Sequence, residues 1–307
     1  MEFRKFFYKI TNKKKYQEYK NELSKQKRLK ILKSGLENEI SKINNIIKKK
    51  KKISFLHSGH LGDIINSLAV IQKLSKTHIC SLYIQANKPL PFNSRYYKNS
   101  KDLVYLEDRG VDMMLPLLKC QPYLESVEKF NNQSIDINLD YFRQIPMSFN
   151  EDNVRWYSLL TGVHPDLSIP YIHVEPNLKF KDKVIIIRST RRKNIFINYK
   201  FLKEYDNLFF IGLDHEYLDL KKDVPNLNFY DCKDFLEMAQ IIKSSKFFLG
   251  NPSLGYVLAE GMKVPRLLEN FPEFHKMNPN GENAYDFYFQ DHFEKWFDYL
   301  YNLKNKT

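Results

Sequence analysis

Ile53-Ser-Phe-Leu-His57-Ser-Gly-His60-Leu-Gly-Asp63-Ile-Ile-Asn-Ser-Leu68 is the stretch on which the fold turns. Its first five residues form a short, mostly apolar run, which predicts a buried strand. Gly59 and Gly62 permit a tight turn and close backbone approach after that strand. Ile64, Leu68, Ile71 and Leu74 then recur at helical spacing, so the unit reads as strand, tight loop, helix.

Downstream, His78–Gln85 reads as a second strand, and 112–118 and 133–139 carry further element-sized apolar content. A helix is expected over Val154–Leu160, and the Pro-marked stretch Pro165–Pro176 is the best linker. The second half alternates more clearly. Strands are expected at Val184–Ile187, Leu208–Ile211, Leu227–Tyr230, Lys246–Leu249 and Arg266–Glu269. Helices are expected at Tyr199–Tyr205, from His215, at Phe235–Ser244 and up to Met262, with closing helices over Tyr285–Tyr301. This alternation implies parallel sheets with right-handed crossovers. The expected fold is α/β: two Rossmann-like domains facing a cleft, where the carboxyl ends of the strands gather and ligands bind.

Upstream, residues 1–52 read as helix, with Phe3, Phe6, Phe7 and Ile10 on one face and Leu29, Leu32, Leu36, Ile40, Ile43 and Ile47 at three- and four-residue steps. The chain's 307 residues carry a net charge of +13, from 49 Lys and Arg against 36 Asp and Glu. Within 1–52 stand 18 of those basic and 5 of those acidic residues, leaving 31 of each in the rest. The body is therefore neutral, which argues against a nucleic-acid groove on the folded domains. The expected divisions are a basic helical arm at 1–52, a first domain at 53–170 and a second at 171–307. The arm either packs on the body, or rests as an amphipathic anchor on an anionic membrane surface, or meets nucleic acid.

A content of 43% hydrophobic and 15% aromatic residues suits a folded chain. Cys80, Cys120 and Cys232 follow no disulfide or zinc spacing, which suits a reducing compartment. No apolar run approaches the ~20 residues of a membrane span, and no signal peptide is expected. The location that follows is cytoplasmic, peripheral to the inner face of the membrane.

Four motifs carry chemistry, each with an ordinary structural reading beside the functional one. Asp63 either caps its helix or acts as a base toward a hydroxyl in the cleft. His57 and His60 flank the same loop and are alternative bases. Arg188-Ser189-Thr190-Arg-Arg-Lys193 follows a strand and either forms a solvated basic turn or grips a diphosphate. Gly212-Leu-Asp-His-Glu216 offers a carboxylate for ribose hydroxyls, or a helix-start Glu. Gly250-Asn251-Pro-Ser253 leads into a helix whose free amides suit an anion, or simply caps that helix. No Asp-x-Asp pair stands in a loop suited to a metal, so none is expected.

With these residues in place, the chain resembles the heptosyltransferase-type glycosyltransferases of family nine, over roughly 53–270. Gly62-Asp63 is similar to that family's Gly-Asp loop, Ser189, Thr190 and Lys193 to its phosphate turn, and Gly212 and Glu216 to its ribose-binding Gly and Glu. The spacing from Gly250 to Pro265 also fits, with Ser253 at the hydroxyl position. Pro252, Leu254 and Val257 stand where the family has Asp, Gly and His. The resemblance implies a GT-B fold, an acceptor domain before a sugar-nucleotide domain, and an inverting, metal-independent transfer. Asp63 would be the base, and Arg188, Lys193 and the helix at Ser253 would steady the leaving diphosphate. The donor is a nucleotide-sugar substrate with no resident cofactor, and the acceptor is a surface glycan or lipid-linked. The altered residues make a catalytically inactive nucleotide- or glycan-binding protein the alternative.

Overall fold

The computed structural model describes residues 2–91, 103–145, 152–273 and 277–303. Three helices open the chain: α1 (Glu2–Thr11), α2 (Lys13–Ile31) and α3 (Glu37–Lys49). Gly35, at φ 110°, sits in the bend between α2 and α3. Phe6, Phe7 and Ile10 are exposed on α1, while Ile43 of α3 is buried and joins the core. The side chains of Phe3 and Leu32 lie outside those described. α3 lies against α6 (Arg155–Thr161), with Ile40, Ile46 and Ile47 against the core beside Ile43. His78 Nε2 bonds the Ile47 carbonyl at 2.9 Å. The basic segment is thus divided: its last helix packs on the body, and its first two carry mostly exposed side chains.

The first sheet holds β1 (Lys52–His57), β2 (Ile79–Ile84), β3 (Ser126–Lys129) and β4 (Ile137–Asn138) in the order β3-β2-β1-β4, all parallel. Ile53 and Phe55 anchor β1 in the core, and α4 (Leu61–Ser75) follows after a three-residue loop. α5 (Asp108–Lys119) precedes β3, and β4 runs straight into a 3-10 turn, Leu139–Gln144. Residues 165–176 contain no regular element, but the amides of Tyr171 and Ile172 both donate to Gly261 O, at 2.8 and 3.1 Å.

The second sheet joins β5 (Val184–Ile187), β6 (Leu208–Ile211), β7 (Asn228–Tyr230), β8 (Phe247–Gly250), β9 (Arg266–Glu269) and β10 (Ala284–Phe287) in the order β10-β9-β8-β5-β6-β7, again all parallel. Alternate residues of β5 serve two cores, as the strand pleat requires. Val184 and Ile186 join one apolar cluster with Phe293 and Phe297 of α10 (Gln290–Asn302). Ile185 and Ile187 join the other, beside α8 (Phe235–Ser244) and α9 (Leu254–Met262). α7 (Asp214–Lys221) links β6 and β7.

The tail departs from expectation, because a strand precedes its helix. Phe287 of β10 stacks on Phe293 of α10 with ring centroids 4.2 Å apart, so the aromatic tail closes a sheet edge as well as a helix face. Tyr199–Tyr205 is a 3-10 turn, Lys200–Glu204, rather than an α-helix. The two domains meet through α4 on α9 and α5 on α8. Their apposed faces share one apolar cluster, with Ile64 and Leu68 from the first domain and Val257 and Leu258 from the second.

Candidate active site

Gly59 has φ +120°, and a Cβ there would stand 3.0 Å from Leu106 Cβ and 3.2 Å from Tyr105, so no other residue fits unstrained. The loop delivers His60 to the N-cap of α4 and Asp63 to its first turn. Asp63 is therefore not the cap itself; its carboxylate accepts a bond from the His60 amide, as a third-position acid in a helix does. Its side chain is 15% exposed. Burial raises its pKa above the ordinary carboxylate value, against the opposing pull of Arg143 and His60.

His57 is fully buried. Its Nδ1 accepts from the Gly59 amide at 3.1 Å, and its Nε2 lies 2.7 Å from Tyr157 Oη. Tyr157 in turn donates to the Asp63 carbonyl at 2.8 Å. That chain of donors requires Nε2–H, and both ring nitrogens are spent. Burial also drives its pKa down to about 3, so His57 is a neutral brace and not a base. His60 packs edge-on to Tyr105, with ring centroids 5.4 Å apart, and burial lowers its pKa too.

Two residues with no motif signal complete the loop's surroundings. Asp140, in the 3-10 turn, accepts from the Ser58 amide at 3.2 Å, the Ser58 hydroxyl, Lys88 Nζ at 2.6 Å and Arg143 at 2.6 Å. Arg143 also bonds the Gly59 carbonyl and reaches Asp63 Oδ2 at 3.4 Å. Only the i, i+3 spacing of Asp140 and Arg143 was available as a signal, and that spacing is common.

Four of the second domain's strand-end residues meet. Asn251, fully buried, clamps Ser189 by accepting from its amide at 2.9 Å and donating to its carbonyl at 2.7 Å. Glu216 Oε1 accepts from the Thr190 amide at 2.9 Å, and a Cβ on Gly212 (φ +150°) would lie 3.6 Å from Glu216 Oε2. The ends of β5, β6 and β8 are thus stitched together. Ser253 is the N-cap of α9 but makes no side-chain cap bond; its hydroxyl is buried and has no hydrogen-bond partner among the described residues.

Arg188 turns away from this group. Its guanidinium forms a two-point pair with Glu269 at 2.7 and 2.9 Å, and Glu269 also accepts from Tyr199 Oη at 2.7 Å. A buried cation needs such a partner to offset its lost hydration, so Arg188 is committed to the core and does not grip a diphosphate. Lys193 is ion-paired with Asp219 and is 30% exposed.

The two halves approach closely. A Cβ on Gly62 would lie 3.6 Å from Val257 Cγ2, so the start of α4 runs beside the first turn of α9. Arg191, exposed, acts electrostatically on His60 from the facing domain. The arrangement places a largely enclosed carboxylate of raised pKa near the N-terminus of α9, where no hydrogen bond is made by the Leu254 and Gly255 amides among the described residues. Among the described residues, no cluster of three or more His, Cys, Asp or Glu is placed to hold a metal ion.

No family model matches the sequence, and no curated protein is similar to it at a significant level. Solved structures are similar in fold. A glycosyl transferase family 9 protein from Veillonella parvula DSM 2008 superposes with a TM-score of 0.50 at 12% identity, over 83% of this chain and 91% of that one. E. coli ADP-heptose lps heptosyltransferase II gives 0.48 at 10% identity over 81% and 98%. E. coli heptosyltransferase WaaC with ADP gives 0.46 at 10% over 81% and 99%. With two parallel sheets facing one another across Gly62 and Val257, the chain has the α/β, two-domain GT-B fold.

Proposed function

We propose that this chain is an inverting glycosyltransferase that moves a sugar from a nucleotide-sugar donor to a hydroxyl of a surface glycan or lipid-linked acceptor. One observation carries the reading: Asp63, 15% exposed and with a raised pKa, follows a glycine loop that runs beside the first turn of α9. A carboxylate of raised pKa is a stronger base, and it takes the acceptor proton as the oxygen attacks the anomeric carbon. The bond to the leaving diphosphate breaks on the opposite face, which inverts the configuration. The α9 amides, the unpartnered Ser253 hydroxyl and the cations Arg191 and Lys193 carry the departing charge in place of a metal. Glu216 Oε2, beside Gly212, is the carboxylate oxygen for ribose.

The test is transfer from a panel of nucleotide sugars, alongside calorimetry with the matching nucleoside diphosphates. Asp63→Asn should lower turnover by about 10²-fold or more, with nucleoside diphosphate affinity unchanged within about threefold. Full turnover in Asp63→Asn would remove the base assignment. Pro252, Leu254 and Val257, which stand where the resembled family has Asp, Gly and His, favour the second reading, a protein that binds a nucleotide or glycan without catalysis. Tight nucleotide binding with no transfer to any acceptor would establish that reading instead.

The acceptor's setting is an anionic membrane surface, with α1 as the contact. Phe6, Phe7 and Ile10 are 65%, 56% and 68% exposed, beside a segment that holds the chain's whole net charge. Aromatic insertion with Lys attraction, about 1 kcal/mol per Lys, suits interfacial binding. Among the described residues, no helix is long and apolar enough to cross a membrane. Co-sedimentation should occur with phosphatidylglycerol vesicles and weaken in Phe6→Ala/Phe7→Ala. Binding to DNA with no vesicle binding would overturn it.

A further inference from the structure

We infer that Arg143, braced by Asp140, is a positioning residue that orients Asp63 and keeps it ionised for proton abstraction; this rests on the proposed transfer. The guanidinium sits between two carboxylates. One nitrogen meets Asp140 at 2.6 Å, and the other reaches both the Gly59 carbonyl and Asp63 Oδ2, the latter at 3.4 Å. Its plane is held by two rings, with Tyr105 and Phe142 centroids each 4.4 Å from Cζ. The side chain is 19% exposed, so the charge acts in a poorly screened setting.

The asymmetry of the contacts decides the role. Asp140 is already served by Lys88 at 2.6 Å and by Ser58, so it fixes the guanidinium without consuming its whole charge. The looser contact to Asp63 leaves that carboxylate lone pairs for an acceptor hydroxyl. Lysine would keep the charge but lose the planar fork that spans Gly59, Asp63 and Asp140. The other groups facing Asp63 are His60 on its own helix, Asp140 in the 3-10 turn and Tyr157 on α6, with Arg191 facing His60 from the second domain.

The experiment follows the Asp63 carboxyl by ¹³C NMR titration of the full chain, with Asp63→Asn identifying the resonance. The pH profile of kcat and the donor KM are read in parallel. In Arg143→Met, the Asp63 titration should move up by about one pH unit or more, as loss of a neighbouring opposite charge requires. The acid limb of kcat should move with it, kcat at a pH on that limb should fall about tenfold, and donor KM should stay within about threefold. Arg143→Lys should return the titration most of the way but kcat only in part. If Arg143→Met misfolds, Arg143→Gln, which removes the charge and keeps a polar head, should raise the titration in the same sense. An Asp63 titration unmoved in folded Arg143→Met or Arg143→Gln would overturn the inference. Absence of turnover with every donor would count against the proposed function alone, because the titration reads the coupling without it.

Discussion

At the scale of single residues, burial decides which candidates act and which merely support. Asp63 and His57 sit six positions apart across one loop, yet burial leaves one a stronger base and the other neutral. The folded pKa of Asp63 is raised, so the ionised base is lost as pH falls through that raised value. The acid limb of kcat should therefore lie above the ordinary carboxylate range, and it should not follow His57, which stays neutral down to about pH 3. A pH–rate profile checks this. Arg188 makes the complementary case: Arg188→Met leaves Glu269 buried and unpaired, which should cost about 3–5 kcal/mol in urea denaturation. Nucleoside diphosphate affinity of the folded fraction should not change beyond about threefold. The strand–glycine loop–helix was legible in the sequence from its periodicity, but Asp63 read equally as a helix cap, because a carboxylate at a helix start serves both uses. Arg188 misled because a cation after a strand looks the same whether it faces a ligand or the Glu269 of a strand two places along the sheet. Arg143, 80 residues from Asp63, left no local pattern at all.

At the scale of elements, β8 and β5 lie so close that Gly250 is obligatory. A Cβ there would stand 2.6 Å from the Ile187 carbonyl and 2.7 Å from the Phe248 ring. Gly250→Ala should destabilise the chain by about 1–3 kcal/mol or more, measured by chemical denaturation, because backbone cannot yield as a side-chain tip can. Strands such as Val184–Ile187 were legible because parallel strands covered on both faces read as unbroken apolar runs. Ser126–Lys129 was not, being half polar at a sheet edge, and neither was Ala284–Phe287, whose aromatic neighbours masked its two-residue period. α3 was readable as a helix, but only its packing on α6 shows that the basic segment is not one independent unit.

At the scale of the whole molecule, both domains contribute to one apolar cluster, which predicts a single cooperative thermal transition by calorimetry. Two separated transitions would contradict it. A pH term overlays this. Asp152 is half-buried near Glu260, and desolvation raises its pKa from 3.8 to about 6. Its ionisation opposes folding, so its favourable contribution is present below pH 3.8 and is lost as pH rises through about 6. Asp152→Asn should then be the more stable protein at pH 8, by up to about 3 kcal/mol, with the difference vanishing toward pH 4. Denaturation curves at the two pH values read it. The placement of charge was legible at this scale from counting alone, whereas the contact of Gly62 with Val257 was not, since it joins distant parts of the chain.

A crystal structure of the full chain with a nucleoside diphosphate tests whether the Asp63 loop and the α9 N-terminus form one site for a nucleotide sugar. Phosphate density is expected at the amides of Leu254 and Gly255 and the Ser253 hydroxyl, with ribose at Glu216 and the terminal phosphate turned toward Asp63. Nucleotide bound away from α9, or a saturated solution that leaves this cleft without density, would contradict it.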